Sequence, residues 1–369
     1  MIKSYRPDYV LIGTVLLLLL FGLIMVASAS VIKGFQEFGD RYYYAKHQLI
    51  YGIIPGIIFF LFALKFYYRR WIKLSPILFV VSVIGLVVVL IPSLGFYHGG
   101  AARWITIGSY TLQPSEFVKM FFIIYLAAWL DKKGSKINDI KATLFPFLAI
   151  VAILSVLIIA QPNLGMLGIV TLSALALYYV SGAKIIHVFS LIILGISALA
   201  VFIKTEPYRL QRFVTFLDPK ADLLNTGYQI NQAVIAIGSG GLFGLGLGQS
   251  RQKYNYLPEP FGDSIFAITG EELGFAGLLA LIILFLIFVW RCFIIAKNAP
   301  DNFGKLLVSG ITFILVIQFF MNIAAITQFI PMTGVPMPFI SYGGSALATA
   351  LFGVGIILNV SSHTPRKSH

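Results

Sequence analysis

Apolar runs long enough to cross a bilayer recur along almost the whole chain, and they confine it to one class of fold. Runs of about 17–25 residues suffice for a spanning helix. Ten stand at 10–31, 47–66, 76–94, 114–131, 143–160, 164–181, 185–203, 264–290, 306–330 and 345–361. In hydrocarbon every backbone N–H and C=O must find a partner, so such runs fold as helices. The expectation is an all-α integral membrane protein of about ten transmembrane helices, a single polytopic membrane domain over residues 1–369. Between 143 and 181, Gln161-Pro162-Asn163-Leu164-Gly165 must turn the chain or break one long helix. Only 11% of the 369 residues are charged, and mean hydropathy is +0.91; soluble domains carry about 25% charged residues.

The N-terminus mimics a secretory signal, with Lys3 and Arg6, an apolar run and Ala27-Ser28-Ala29. The run from Val10 to Val26 exceeds the usual apolar core of about 7–15 residues. It reads as an uncleaved first helix.

Lys and Arg in short loops set the orientation. Lys3 and Arg6, Lys65 to Lys73, Lys132 to Lys141, Lys184, Arg291 to Lys305, and Arg366 with Lys367 all fall on one side. The loops on the other side hold few: Lys33, Arg41 and Lys46 in one, Arg103 in another. Both termini are therefore expected in the cytoplasm. The net charge of +13 reports this topology and contact with anionic lipid, not nucleic acid. One cysteine, Cys292, excludes an internal disulfide, and the five scattered histidines show no ligand spacing.

Residues 204–263 break the pattern. This segment is expected to form a large, partly helical extracellular loop between helices 7 and 8, despite its six basic residues, because long loops obey the charge rule poorly. The stretch from Lys204 to Gly274 holds seven of the 14 acidic residues: Glu206, Asp218, Asp222, Glu259, Asp263, Glu271 and Glu272. Tyr228 to Ile237 is apolar with helical spacing. Gly238-Ser239-Gly240-Gly241, Gly244, Gly246 and Gly248 follow, and suit a re-entrant or interfacial hairpin if protein covers its backbone. The glycine pattern is no nucleotide fingerprint, since no strand precedes it and it lies on the wrong side of the membrane.

Five groups of residues can carry chemistry. Asp263 sits at the outer lip of the eighth run, either as a helix cap or as a carboxylate with a raised pKa serving as general base. Glu259 is a second carboxylate four residues earlier, or simply a solvated loop residue. Glu116 and Lys119 share a helix face, so they form a structural ion pair or offer a cation to a phosphate or sugar acid. Glu271 and Glu272 lie roughly 12 Å below Asp263 at about 1.5 Å per residue, and at most one shares its face. A partner such as Lys119 would make that acid structural.

The outer cations Arg103, Arg209, Arg212, Arg251 and Lys253 suit an anionic lipid head group, or else anchor the chain to the lipid surface. Finally, the last outer loop, Pro331 to Ser345, is stiffened by its prolines and offers the hydroxyls of Ser341, Tyr342 and Ser345.

Several stretches together resemble the SEDS family of shape, elongation, division and sporulation proteins. They are Ala102-Arg103-Trp104-Ile105 with Gly108, Gln113-Pro114-Ser115-Glu116, Gln161-Pro162-Asn163-Leu164-Gly165, Ile237 to Gly244, Leu257-Pro258-Glu259 through Asp263, Glu271-Glu272-Leu273-Gly274, and Pro338 to Ser345. Tyr125 to Leu130, Glu206-Pro207-Tyr208-Arg209 and Ser250-Arg251-Gln252-Lys253 look more like the division branch, FtsW, than the elongation branch, RodA.

The resemblance implies a peptidoglycan glycosyltransferase of the bacterial cytoplasmic membrane. It implies lipid II as substrate, a glycan on undecaprenyl pyrophosphate, with Asp263 as essential base and Trp104 among the substrate-facing residues. A class B penicillin-binding protein and other divisome membrane proteins are the implied partners. No cofactor is certain, and a divalent cation is left open. The sequence departs from the family pattern at Asn163, where aspartate is usual, at Ala102, where arginine is common, and at Phe261-Gly262, which replaces His-Thr. The competing readings are a lipid II flippase and a divisome scaffold. A transporter is expected to show related halves and a midplane site, and the sequence shows no internal repeat.

Overall fold

The computed structural model describes residues 7–91, 95–98, 101–107, 110–204, 213–218 and 226–364. Helix α1 (Tyr9–Ala29) starts at Asp8, whose carboxylate accepts the Leu11 N–H at 3.0 Å. A short helix, α2 (Val31–Phe38), ends at Gly39, which takes the left-handed conformation that closes helices. Helix α3 (Tyr43–Lys65) carries one π turn at Leu49–Ile53, just before Pro55. Pro55 has no N–H to give the Tyr51 carbonyl. That face is closely approached: a Cβ on Gly344 would lie 2.6 Å from the Tyr51 oxygen.

Helix α4 (Arg70–Val89) begins six residues before the expected run and carries Pro76 near its start. A small antiparallel sheet follows, of β1 (Gly95–His98), β2 (Ala101–Ile107) and β3 (Tyr110–Leu112) in that order, with Phe96 opposite Trp104 and Ile105 opposite Leu112. The sequence reading had no strand here. Seven residues of Ala101–Ile107 alternate too briefly, beside spans of twenty, to be noticed.

Helix α5 (Pro114–Lys133) has proline in its first turn, as expected. Helices α6 (Ile140–Ala160) and α7 (Leu164–Val180) are separate, so residues 161–163 do turn the chain. Asn163 caps α7 through its side-chain oxygen, 3.2 Å from the Met166 N–H; an amide serves this role as well as the expected carboxylate. Then come α8 (Ile185–Lys204), α9 (Thr226–Ser239), α10 (Ile265–Lys297), α11 (Asn302–Ile326) and α12 (Gly344–Ser361).

Among the described residues, seven helices are long and apolar enough to span a membrane: α1, α3, α4, α6, α10, α11 and α12. Helices α5, α7 and α8 occupy the other three apolar runs. The chain is thus an almost wholly helical integral membrane protein. The core is formed by α11 and α12, buried along most of their length. Helix α12 packs on α3 and α11; α5 lies between α4 and α11; α7 packs on α11; α1 and α9 pack on α10. Small residues set these distances: a Cβ on Gly355 would lie 2.5 Å from the Phe60 carbonyl.

The expected inside loops gather at one end. Arg291 pairs with Asp8, Arg69 with Asp301 at 2.6 Å, and Asn302 donates to Asp131. The opposite end holds Asp263, Glu259 and the loop of residues 331–343, expected to be the last outer one.

Candidate active site at the N-terminal lip of helix α10

Asp263 is presented by a tight turn. Glu259 has a left-handed backbone, φ 46°, and its carbonyl accepts the N–H groups of Gly262 at 3.1 Å and Ser264 at 3.3 Å. The helix cap position is taken by Ser264, so Asp263 does not cap α10. Its side chain is left free of the helix. Two donors approach the Asp263 Oδ1, the Gln229 amide of α9 at 3.5 Å and the Ser264 hydroxyl at 3.4 Å, both long contacts. Asn322 of α11 fixes the backbone from behind, donating to the carbonyls of Asp263 at 2.7 Å and Val335 at 2.8 Å. Burial, aided by the negative charge of Glu259, pushes the Asp263 carboxyl up to about 6. Such a group is mostly ionised at neutral pH and still accepts a proton readily.

Aromatic side chains wall one flank. Phe261 lies 4.4 Å from the Tyr44 ring and 5.5 Å from the Tyr342 ring, centroid to centroid. The Tyr342 N–H donates to the Phe261 carbonyl at 2.9 Å, and its hydroxyl meets His47 Nδ1 at 2.8 Å. Burial raises the Tyr342 phenol above its usual value. The other two hydroxyls of the last loop hold backbone: Ser341 accepts the Met337 N–H at 2.8 Å and Ser345 the Gln113 N–H at 3.2 Å.

The expected cations divide sharply. Lys253, expected to face a phosphate, is buried, with its ammonium 2.8 Å from Glu272 and 2.6 Å from the Gly248 carbonyl. Lys119 is likewise buried, 2.5 Å from Glu116 and 2.6 Å from Gln318. Gln318 in turn donates to the Pro336 carbonyl at 2.8 Å, tying this pair to the last outer loop. Both lysines are stem-deep in protein, so their partners set their geometry. Arg103 donates to the carbonyls of Gln161 and Pro162, and Trp104 lies beside it on β2. Arg251 is exposed. Arg209 and Arg212 lie outside the described residues. Among the described residues, no group of three or more His, Cys, Asp or Glu converges as metal ligands.

Helix α10 is interrupted at Gly274, φ 67° and ψ −169°. The glycine segment after α9 fills the gap. Leu245 and Gly246 donate to the carbonyls of Glu271 and Glu272, and Phe275 and Ala276 donate to those of Gly241 and Leu242, all at 2.9–3.0 Å. Backbone groups orphaned by the break are thereby paired. The side chains are satisfied too. Glu271 accepts from the Ser250 hydroxyl at 2.5 Å and the Arg251 N–H at 2.8 Å, while Glu272 accepts from Ser28 at 2.6 Å and from Lys253. Lys253, not Lys119, is the cationic partner of Glu272, and Glu271 is held by a hydroxyl and backbone N–H groups. Among the described residues, neither glutamate bonds to Asp263.

Sequence reasoning passed over Lys33, Tyr44, His47, Gln229 and Asn322. Lys33 had entered only as a loop charge, yet its ammonium lies 3.5 Å from Glu259 and 5.4 Å over the Phe261 ring. Gln229 and Asn322 are amides inside apolar helical stretches, which was their one available signal.

The cell cycle protein family of FtsW, RodA and SpoVE matches residues 8–366. The chain belongs to this family. Among its relatives, stage V sporulation protein E of Bacillus subtilis is 41% identical, over 98% of this chain and 99% of that one. The probable peptidoglycan glycosyltransferase FtsW of Trichlorobacter lovleyi is 38% identical, over 96% and 93%. The fold is that of the rod shape determining protein RodA of Thermus thermophilus, with a TM-score of 0.72 and 24% identity over 98% of each chain. It is also that of a chain in a peptidoglycan synthase complex described for polymerization and crosslinking, with a TM-score of 0.77 and 24% identity over 96% and 97%.

Proposed function

We propose that this SEDS-family chain is a peptidoglycan glycosyltransferase that polymerises lipid II at the outer face of the bacterial cytoplasmic membrane, in septal wall synthesis. The observation that carries the reading is the Asp263 carboxyl, held free of capping and raised to about 6 at the membrane lip. In the reaction Asp263 takes the proton of the acceptor 4-hydroxyl. That oxygen bonds to the anomeric carbon of the donor sugar. The bond from that carbon to the pyrophosphate breaks with inversion, and undecaprenyl pyrophosphate leaves with the electron pair. A positioned base contributes about 10²–10⁴-fold.

Glu259 and Tyr342 face this lip and would meet the sugar, with Arg209, Arg212 and Arg251 in the same extracellular loop, 204–263, as cations for the phosphate. Arg103, Trp104, Glu116, Lys119, Lys253, Ser341 and Ser345 would act behind them by shaping the loops. The chain would cross the membrane ten times as one domain, with both termini in the cytoplasm. Likeness to a chain of a peptidoglycan synthase complex supports a transpeptidase partner of the class B penicillin-binding type, within the divisome.

The test is polymerisation of lipid II by the purified protein with its partner, wild type against Asp263→Asn. Polymer from the first alone supports the assignment; equal polymer from both removes Asp263 as base. A flippase is the second reading, favoured by the broken α10 with buried Glu271 and Glu272. It requires Asp263→Asn to leave function intact.

A further inference from the structure

We propose that Lys33 is the cation that receives the phosphate-bearing head of a lipid-linked substrate at the Asp263 lip, exchanging Glu259 for the incoming anion. This rests on the reading of that lip as the substrate site, and it names a residue on a different helix. Of the cations expected to serve there, Lys253 and Lys119 are buried in ion pairs, Arg103 is bound to carbonyls, and Arg251 is exposed with its backbone tied to Glu271, about two turns down α10. Lys33 is differently placed. Its side chain is 32% exposed and that of Glu259 is 54% exposed, and their 3.5 Å contact is longer than a good charge-assisted bond. Exposed pairs of this kind are easily given up.

The ammonium also sits over the Phe261 ring, two residues from Asp263 in the same turn. An anion entering beside Asp263 therefore meets Lys33 with no side chain to be unburied. Helix α2 is held at the lip independently of that pair: Asn255 donates to Gln36 at 2.9 Å, and Tyr44 donates to Glu37. The lysine can change partner while its helix stays in place. Lysine suits such exchange, being a point charge with three rotatable donors, where arginine would hold a carboxylate by a two-pronged fork.

The exchange also bears on the base. Among the described residues, the charged and titratable groups around this turn are Glu259 beside Asp263, Lys33 and Glu37 on α2, Tyr44 and His47 on α3, and Tyr342 in the last loop. When Lys33 turns to the phosphate, Glu259 loses its counter-charge and presses harder on Asp263. The base strengthens as substrate arrives.

The experiment measures binding, not turnover, with the full chain in nanodiscs. Undecaprenyl pyrophosphate and the neutral undecaprenol are titrated against wild type, Lys33→Gln, Lys33→Arg and Glu259→Gln. Lys33→Gln is expected to weaken the pyrophosphate about tenfold, the loss of one charge-assisted contact, and to leave the alcohol unchanged. Lys33→Arg should recover only part of the binding, because the guanidinium holds Glu259 more firmly, and Glu259→Gln should tighten binding a few-fold by removing the competitor. Equal pyrophosphate affinity in wild type and Lys33→Gln overturns the proposal, as do equal losses for both lipids. Weaker binding by Glu259→Gln overturns the exchange. Disappearance of the Lys33 effect in nanodiscs free of phosphatidylglycerol would assign the anion to bulk lipid and also overturn it. Because no readout is catalytic, an inactive or a fully active Asp263→Asn leaves these outcomes untouched.

Discussion

The Lys253 ammonium lies 2.8 Å from the Glu272 carboxylate, and neither side chain is more than 3% exposed. Removing one partner of such a pair leaves a bare charge in apolar surroundings, at a cost of about 3–5 kcal/mol. Lys253→Met is therefore expected to lower the unfolding midpoint in detergent steeply. The double variant Lys253→Met with Glu272→Gln should recover much of the loss, because the amide still meets Ser28. A double-mutant cycle by thermal unfolding measures the coupling.

The glycine hairpin makes an equally local prediction. A Cβ on Gly240 would stand 1.9 Å from the Gly270 carbonyl, and one on Gly244 2.2 Å from that of Glu272. Gly240→Ala and Gly244→Ala should prevent the hairpin from seating in the break of α10 and abolish polymerisation. Gly238→Ala meets nothing within 4 Å and should be tolerated. Activity and protease sensitivity of the three variants check this.

Polymerisation should follow the ionisation of Asp263. With the carboxyl near 6, the rate is expected to level off above pH 7 and to fall about tenfold per pH unit well below 6. A rate independent of pH between 5 and 8 would remove this group from the rate-limiting step.

The same group links pH to stability. Its folded pKa stands above the ordinary 3.8, so the folded state binds the proton more tightly than the unfolded chain. Its favourable contribution is complete below about pH 4 and is lost as pH rises through 6. Asp263→Asn should raise the melting temperature at pH 7.5 and lose most of that advantage by pH 4.5, as thermal scans at both pH values can show.

Gln318 joins the Glu116–Lys119 pair to the Pro336 carbonyl. Gln318→Leu keeps the volume and strands the Pro336 carbonyl, at about 1–3 kcal/mol, while Lys119 keeps only Glu116. The last outer loop should loosen, with a larger loss of kcat than of lipid II affinity in steady-state assays.

The spans were legible because twenty apolar residues admit few other structures. The turn at Pro162-Asn163, the proline opening α5 and the helix over residues 228–237 carry local signals and were equally readable. Asp263 and Glu259 stood out as charges in an apolar chain. Their surroundings did not, because Lys33, Gln229 and Asn322 reach the lip from three helices far apart in sequence. Composition also misjudged Lys253. Its loop position suggested an open cation, whereas the hairpin carries it down to Glu272. The small sheet of residues 95–112 escaped because its strands are short and its pairing is set by turns.

The break in α10 bears on how the protein is made. Glu271 and Glu272 would be two of the least welcome residues a helix can carry into a bilayer. Their donors are Ser28, Ser250, Arg251, Gln252 and Lys253. Every one of these has a lower number than the acids it serves, so a ribosome reading toward the C-terminus makes all the donors first. The two carboxylates leave the exit tunnel into a nascent chain that already contains every group they need.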